Sequence, residues 1–439
     1  MRLLPLVAAT YFMVSGGPYG IEDILGGAGY RGALLILVLL PIFWTLPTTL
    51  MIGELASALP EEGGFYVWVR RALGPFWGYQ EAWLSLTASI FDMAIYPTLF
   101  TLYLGRLEPG LVSGHNGLAW ELALITGCCA WNLLGAPSVG RGSLWLFVLL
   151  LAPFALLCGF AITYGLHHPA VAGLWTAKPS GGGGFGLAVL VAMWNYMGWD
   201  NASTFAQEVE NPPRTYPRAM LLSGLLVTLT YVLPLAAIAF AGIPLQQFST
   251  GAWADAARML AGPGPAGVAL AIAIVAGGLL SATGMFNALT LSYARLPMVL
   301  AQEGMLPRLL ARTNRKGVPV AATLACGAAW ALALRFNYER LISIDLILYG
   351  SSLILEFVAL LVLRVREPML PRPFRMGPLP VAAALSACPV ALVIYAMWVA
   401  RGEQMLHLPA LLFGALVALA GVFVYLVSRP RRQVRSREL

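Results

Sequence analysis

Ser15-Gly16-Gly17-Pro18-Tyr19-Gly20-Ile21-Glu22-Asp23 interrupts an apolar run that begins at Leu3. Without the interruption, the run would read as one membrane helix. Glycine lets the backbone leave the helix, and Pro18 removes a donor and clashes with the turn before it. The stretch therefore predicts a helix that breaks midway and then resumes. In lipid, irregular backbone survives only where it is buried in protein or lines a cavity. A second stretch of this kind, Trp194-Asn195-Tyr196-Met197-Gly198-Trp199-Asp200-Asn201-Ala202-Ser203, follows an apolar run from Phe185. A carboxylate follows each break: Glu22 and Asp23 in the first, Asp200 in the second.

The chain around these breaks has 439 residues, 59% hydrophobic and 11% charged. That is too little charge to cover a soluble protein of this length. A membrane span takes about 20 apolar residues. Twelve stretches qualify, near 3–27, 32–58, 76–104, 118–136, 142–166, 185–209, 216–243, 264–299, 317–335, 341–363, 379–400 and 406–428. The reading is an all-α membrane protein with twelve transmembrane helices, helices 1 and 6 being discontinuous. Five helices separate the breaks, so the two broken helices enter from opposite faces. That parity fits inverted five-helix repeats, about 1–166 and 185–363, forming a transport core over 1–363. Helices 11 and 12 and a basic tail fill 364–439. Paired interruptions at corresponding positions point to a transporter's binding site.

Lys and Arg set the orientation. With the N-terminus in the cytoplasm, most of the 27 basic residues fall on the cytoplasmic side. They include Arg70, Arg71, Arg214, Arg218, Arg308, Arg312, Arg315, Lys316, Arg364, Arg366, Arg372 and Arg375. The other side holds Arg31, Arg106, Lys178, Arg258, Arg335, Arg340 and Arg401. Both termini are expected in the cytoplasm, in a multi-pass cell membrane protein. Topology explains the net charge of +7 better than nucleic acid does, and the tail from Arg429 to Arg437 can also touch anionic lipid. The first apolar run carries Gly, Pro, Glu and Asp and does not read as a cleavable signal. The gap from Pro60 to Phe76 reads as an amphipathic helix, with Phe65, Trp68 and Val69 toward the bilayer and Arg70 and Arg71 in water.

Cys128, Cys129, Cys158, Cys326 and Cys388 fall inside predicted helices without metal or redox spacing, and read as packing residues. His115, His167, His168 and His407 lie in outer loops or at helix ends, without zinc spacing. We expect no metal site, no cofactor and no enzyme active site.

An ionisable group at membrane depth costs at least about 2.5 kcal/mol and defaults to a functional role. Six carboxylates qualify: Glu22, Asp23, Asp92, Asp200, Asp345 and Glu356. No Lys or Arg sits at comparable depth in the sequence. The missing positive partners are then protons or a bound cation, which favours a cationic substrate. Glu22, Asp92 and Asp200 are the candidate amine ligands and proton carriers. Tyr19, Tyr96, Tyr196 and Trp199 are the candidate cation–π faces. The backbone of Gly16, Gly17 and Gly20 would add donors and acceptors at the break. Among the remaining acids, Glu54 is expected to pair with a loop arginine and Glu81 to be interfacial. Asp23 and Asp345 are expected to be wet near the outer mouth.

At these residues the sequence resembles the amino acid–polyamine–organocation transporters, most of all the polyamine:proton symporter branch. The segments that carry the resemblance are Ser15 to Asp23, Glu61-Glu62-Gly63-Gly64-Phe65-Tyr66-Val67-Trp68, Asp92-Met93-Ala94-Ile95-Tyr96-Pro97, and Trp199-Asp200 with Glu208-Val209-Glu210-Asn211-Pro212. Gly304-Met305-Leu306-Pro307 and Arg372-Pro373-Phe374-Arg375 complete it. The resemblance implies a LeuT-like 5+5 inverted repeat working by alternating access. Amino acid carriers of that superfamily cradle a substrate carboxylate at the first break. Here Glu22 would repel a carboxylate and suit an amine. Two family features are missing: helix 5 has no Lys, and helix 8 carries Ser281, Thr283 and Asn287 rather than acids. The expected function is proton-coupled import of polyamines such as putrescine or spermidine, with Tyr19 and Trp199 as an aromatic gate. An amino acid transporter of the same fold, for cationic or large neutral substrates, is the alternative. A channel or a substrate-sensing receptor would show no saturable, gradient-driven accumulation.

Overall fold

The computed structural model describes residues 1–168, 184–244, 248 and 250–428. Lys178 and the basic tail from Arg429 to Arg437 lie outside these residues. The first expected helix is α1 (Leu3–Val14), which stops at Ser15 and resumes at Glu22 as α2 (Glu22–Leu40). Within α2, Gly29 takes φ 67° and ψ 174°, so the chain turns where the first and second predicted helices meet. A π-helical turn at Pro41–Thr45 leads into α3 (Leu46–Ala58), followed by the short α4 (Phe65–Leu73) and the 33-residue α5 (Pro75–Leu107). Next come α6 (Asn116–Asn132), α7 (Ala136–His167) and α8 (Gly184–Asn195). After α8 the chain breaks again, and Trp199–Glu208 is wound as a 3₁₀ helix. The rest is α9 (Pro212–Phe240), α10 (Trp253–Ala261), α11 (Pro265–Tyr293), α12 (Arg295–Gln302), α13 (Val320–Leu332), α14 (Tyr338–Arg366), α15 (Leu379–Val399) and α16 (Ala410–Ser428). A two-residue hairpin, Gln404–Met405 with Leu408–Pro409, joins the last two helices.

Among the described residues, seven helical stretches are long and apolar enough to cross a membrane: Glu22–Ala58, Gly142–His167, Pro212–Phe240, Pro265–Gln302, Tyr338–Arg366, Leu379–Gly402 and Ala410–Ser428. The other expected spans fail on length or on polarity, for physical reasons. The breaks cut α1 and α8 to 12 residues each. α5 is long but carries Glu81, Asp92 and several hydroxyls. The molecule is a helical, multi-pass membrane protein. Its outer surface is apolar, with Trp145, Leu149, Leu156, Trp398 and Phe423 exposed, while α1 and much of α5, α11 and α14 are enclosed.

One end of the bundle gathers charge. Arg295 is 4% exposed and pairs with Glu62 (3.1 Å) and with Glu208. The N-terminal amine donates to the Glu208 carbonyl. Arg70 pairs with Glu303, and Arg71 with Glu367. We call this end the basic face. The expectation for α4 is corrected here. Phe65, Trp68 and Val69 pack into protein rather than lipid, and Trp68 Nε1 donates to the Leu59 carbonyl (3.2 Å). The ion pairs of Arg70 and Arg71 hold that helix against the bundle, so its apolar face has protein to cover it.

Candidate functional site

The two breaks meet. Gly198 has φ 91°, and a Cβ there would come within 2.5 Å of the Met13 carbonyl at the end of α1. Gly17 (φ 78°) and Gly20 (φ 85°) supply the left-handed turns of the first break. A Cβ on Gly16 would strike Ser281 and Met285 of α11, which is why a glycine stands there. Polar aromatic side chains satisfy much of the freed backbone. Trp253 Nε1 donates to the Pro18 carbonyl (2.7 Å), Trp44 and Trp199 both donate to the Tyr196 carbonyl (2.9 and 2.7 Å), and Tyr231 donates to the Asn195 carbonyl (2.8 Å). These bonds answer the cost of bare peptide groups away from water.

The buried acids form layers along α5. Glu81, Asp92 and Tyr103 are eleven residues apart, so each step climbs about 16 Å and returns to nearly the same face of the helix. The layer farthest from the basic face holds Glu22. Its carboxylate accepts from the Gly20 N–H (2.7 Å), the Tyr103 hydroxyl (2.5 Å) and the Gly251 N–H (3.1 Å). Asp23 accepts from the Thr250 amide (3.2 Å) and hydroxyl (2.7 Å), so it is held by protein as well. Gly251 and Trp253 belong to the α10 region, which closes this end. Tyr19 completes the closure, its hydroxyl donating to Ile274 (2.5 Å) and its ring packed edge-on against Tyr103 and Phe154.

The middle layer holds Asp92, Asp200 and Asp345. Asp92 accepts from Tyr96 (2.8 Å), Tyr293 (3.2 Å) and Trp194 Nε1 (3.3 Å). Asp200 accepts from Tyr349 (2.5 Å), whose hydroxyl in turn takes the Gly198 N–H (3.1 Å). Asp345 is 1% exposed, and neither of its oxygens has a hydrogen-bond partner among the described residues. It lies within electrostatic reach of both other aspartates. No described Lys or Arg is paired with any of the three. An isolated carboxylate in such surroundings is costly, and like charges add to the cost. The layer calls for protons or a cationic guest.

Between the two layers stand Tyr96, Trp194 and Tyr338, with ring centroids 6.0 Å apart along the series. The Tyr338 hydroxyl has no partner among the described residues and lies against Gly20. The packed stretch between Glu22 and Asp92 is therefore aromatic, with a carboxylate at each end.

Of the residues expected from sequence, Glu22, Tyr19 and Gly20 come together in one layer, and Asp92, Tyr96 and Asp200 in the next. Gly16 and Gly17 touch α11 and Leu150 of α7. Tyr196 and Trp199 face elsewhere. The Tyr196 hydroxyl donates to the Leu37 carbonyl (3.0 Å), its ring meets Tyr231, and Trp199 lies against Gly224 of α9. Tyr19 and Trp199 thus form no single gate. Glu81, expected to be interfacial, is fully buried, because it faces α14, where the Ser352 hydroxyl donates to it (3.2 Å). Asp345, expected to be wet, lies two turns below Tyr338 and is dry. Glu54 pairs with Arg364 and Arg372, as its position suggested. Sequence reasoning did not single out Tyr103, Trp194, Tyr293, Tyr338 or Tyr349. The eleven-residue spacings Glu81–Asp92–Tyr103 and Asp345–Glu356 were the available signal.

Comparison with known proteins places this chain. It is 33% identical over 399 residues to a probable polyamine transporter of Arabidopsis thaliana, covering 90% of this chain and 78% of the relative. It is 33% identical to Polyamine transporter PUT1 of Oryza sativa subsp. japonica, covering 90% and 72%. A more distant relative is the serine/threonine exchanger SteT of Bacillus subtilis, 26% identical, covering 82% and 80%. The amino acid permease family matches residues 7–424. A helical membrane bundle with two abutting helix breaks and this likeness along its length is a member of the amino acid permease family.

Proposed function

We propose that this chain imports polyamines such as putrescine or spermidine across the cell membrane by proton-coupled alternating access, with both termini in the cytoplasm. In this reading the fold is twelve transmembrane helices with a LeuT-like 5+5 repeat over 1–363, and α15, α16 and the tail lie outside that core. α1 with the start of α2, and α8 with the 3₁₀ segment, are each one broken span.

The observation that carries the reading is the middle layer, where Asp92, Asp200 and Asp345 stand without a basic partner. One ammonium of the substrate docks there. The methylene chain lies along Tyr96, Trp194 and Tyr338, whose faces also attract cations. In a longer polyamine such as spermidine the far ammonium extends toward Glu22, which exchanges its Tyr103 or backbone donors for the substrate. With layers about 16 Å apart on α5, a compact amine or putrescine occupies the middle layer alone, and only the longer polyamine approaches both. Glu22, Asp92 and Asp200 are the candidate proton carriers, and the coupled proton travels inward on the chain together with the amine, as uptake driven by an inward proton gradient requires. The polyamine transporters among the relatives support this substrate class.

The test is uptake of labelled putrescine by proteoliposomes under an inward proton gradient. Saturable uptake suppressed by excess spermidine and indifferent to excess serine or lysine supports the reading. Uptake insensitive to spermidine ends it. The Bacillus exchanger keeps an amino acid substrate as the second reading, and competition by serine or lysine would favour it.

A further inference from the structure

Glu81 and Glu356 take no part in substrate binding as proposed above. Both are fully buried. One oxygen of Glu81 accepts from the hydroxyls of Ser85 (3.0 Å) and Ser352 (3.2 Å), and the other has no partner among the described residues. Neither oxygen of Glu356 has a partner there. The Ser85 and Ser352 oxygens lie 2.8 Å apart, and their two hydroxyl protons are shared between this contact and Glu81, which pins α5 to α14 at this level. Glu81 and Asp200 lie within electrostatic reach of Glu356, and so does Tyr349 on its own helix. The arginines toward the end of α14 are engaged elsewhere: Arg364 by Glu54, and Arg366 by the Ala72 carbonyl (3.1 Å). Glu356 is eleven residues below Asp345 on α14, as Glu81 is below Asp92 on α5. The pair therefore forms a third layer, about 16 Å along the helices from Asp92 and Asp345 toward the basic face, with Asp200 within electrostatic reach of both levels.

Two buried carboxylates with three oxygens unpartnered and no countercharge among the described residues are strongly unfavourable as a pair of anions. A single proton resolves this, since the protonated group donates to the other and the shared charge falls by one. We infer that Glu81 and Glu356 share a proton and form the inner station through which the coupling proton passes between Asp200 and the basic face. In the transfer, one O–H bond breaks at the Asp200 carboxyl and one forms at the glutamate pair. This leaves Asp200 as the carboxylate that receives an ammonium. The proton-pair assignment stands on the residues themselves, and its role in transport rests on the polyamine reading above.

The full chain in liposomes tests it with two readouts. Infrared difference spectra between acid and alkaline buffer, without substrate, report protonated carboxyl groups. Glu356→Gln should remove one protonated-carboxyl band, and an unchanged spectrum overturns the assignment. In the second readout, voltage is held at zero. Glu81→Gln and Glu356→Gln should exchange labelled for unlabelled putrescine within about twofold of the wild-type rate, which also reports correct folding. Their accumulation should fall to none, from a ceiling of about tenfold per unit of pH difference for a one-proton carrier. Variants that still accumulate substrate under the pH gradient overturn the inference. So does a wild type driven by sodium alone, or loss of exchange in both variants and in the conservative Glu81→Asp. A wild type that exchanges no putrescine defeats the polyamine reading, while the infrared readout still decides the proton pair.

Discussion

Two kinds of buried carboxylate share this molecule. Glu54 is fully buried on α3, and Arg364 donates to both of its oxygens. Arg372 lies 3.3 Å from it, and the Met376 N–H donates at 2.8 Å. Asp92, Asp200, Asp345, Glu81 and Glu356 are as deeply enclosed, yet their described partners are hydroxyls, an indole, backbone N–H groups or nothing, and no arginine. The difference teaches where function sits. Where the countercharge belongs to the chain, the acid is a fastener. Where it does not, the charge must be balanced by something that comes and goes.

The comparison can be broken most forcefully at Glu54. Removing one partner of a buried ion pair leaves the other uncompensated, which typically costs about 3–5 kcal/mol. Glu54→Ala should therefore lower the thermal unfolding temperature of the purified protein markedly. Asp345→Asn should leave it unchanged or raise it. A mild Glu54→Ala, or an Asp345→Asn protein that unfolds early, would erase the distinction.

Next in size are the losses of affinity. Asp92→Asn and Asp345→Asn each remove a charge-assisted contact worth about 1.5–3 kcal/mol. Putrescine binding should weaken by about tenfold or more. Measured by calorimetry, an unchanged affinity for Asp345→Asn would remove that residue from the site. Asp92→Asn should also keep exchange while losing proton-driven accumulation if Asp92 carries a proton. Glu22→Gln places an amide N–H₂ against one of the donors it now accepts from, Gly20, Tyr103 or Gly251. It should weaken spermidine binding about tenfold while the protein stays folded, and the closure by α10 should loosen. Faster proteolysis near Gly251 would report that loosening.

The smallest effect belongs to the surface pair Arg71 with Glu367 (2.7 and 3.0 Å). The guanidinium holds the Glu367 carboxyl below the usual carboxylate range. That contribution to stability is present at neutral pH and is lost as pH falls through the lowered folded value. Exposed pairs contribute little, so Glu367→Gln should barely move the unfolding temperature at pH 7. The gap to wild type should vanish in acid. A large shift would mean that surface charge fastens this bundle as strongly as Glu54 does.

Much of this was legible in the sequence. Gly16-Gly17-Pro18 and Gly198 marked both breaks, because glycine and proline act on the backbone wherever they stand. Glu22, Asp92 and Asp200 stood out because charge is rare in an apolar chain. What stayed hidden depended on neighbours remote in sequence. Tyr196 and Trp199 sit beside the second break, yet their side chains turn toward α2 and α9 to satisfy freed carbonyls. Tyr349 reaches Asp200 only because α14 lies beside the second break, and Tyr338 stands against Gly20 of the first. Glu81 looked interfacial because nothing local says that α14 covers it. α10 escaped notice because a nine-residue helix is too short to register as a span.

The central claim is that the unpaired acids wait for an organic cation. The most direct test is equilibrium binding of spermidine to the purified protein, with serine as competitor. The account predicts saturable binding that resists competition by serine, weakens about tenfold or more in Asp92→Asn and persists in Glu367→Gln. Binding of serine in preference to spermidine would contradict it.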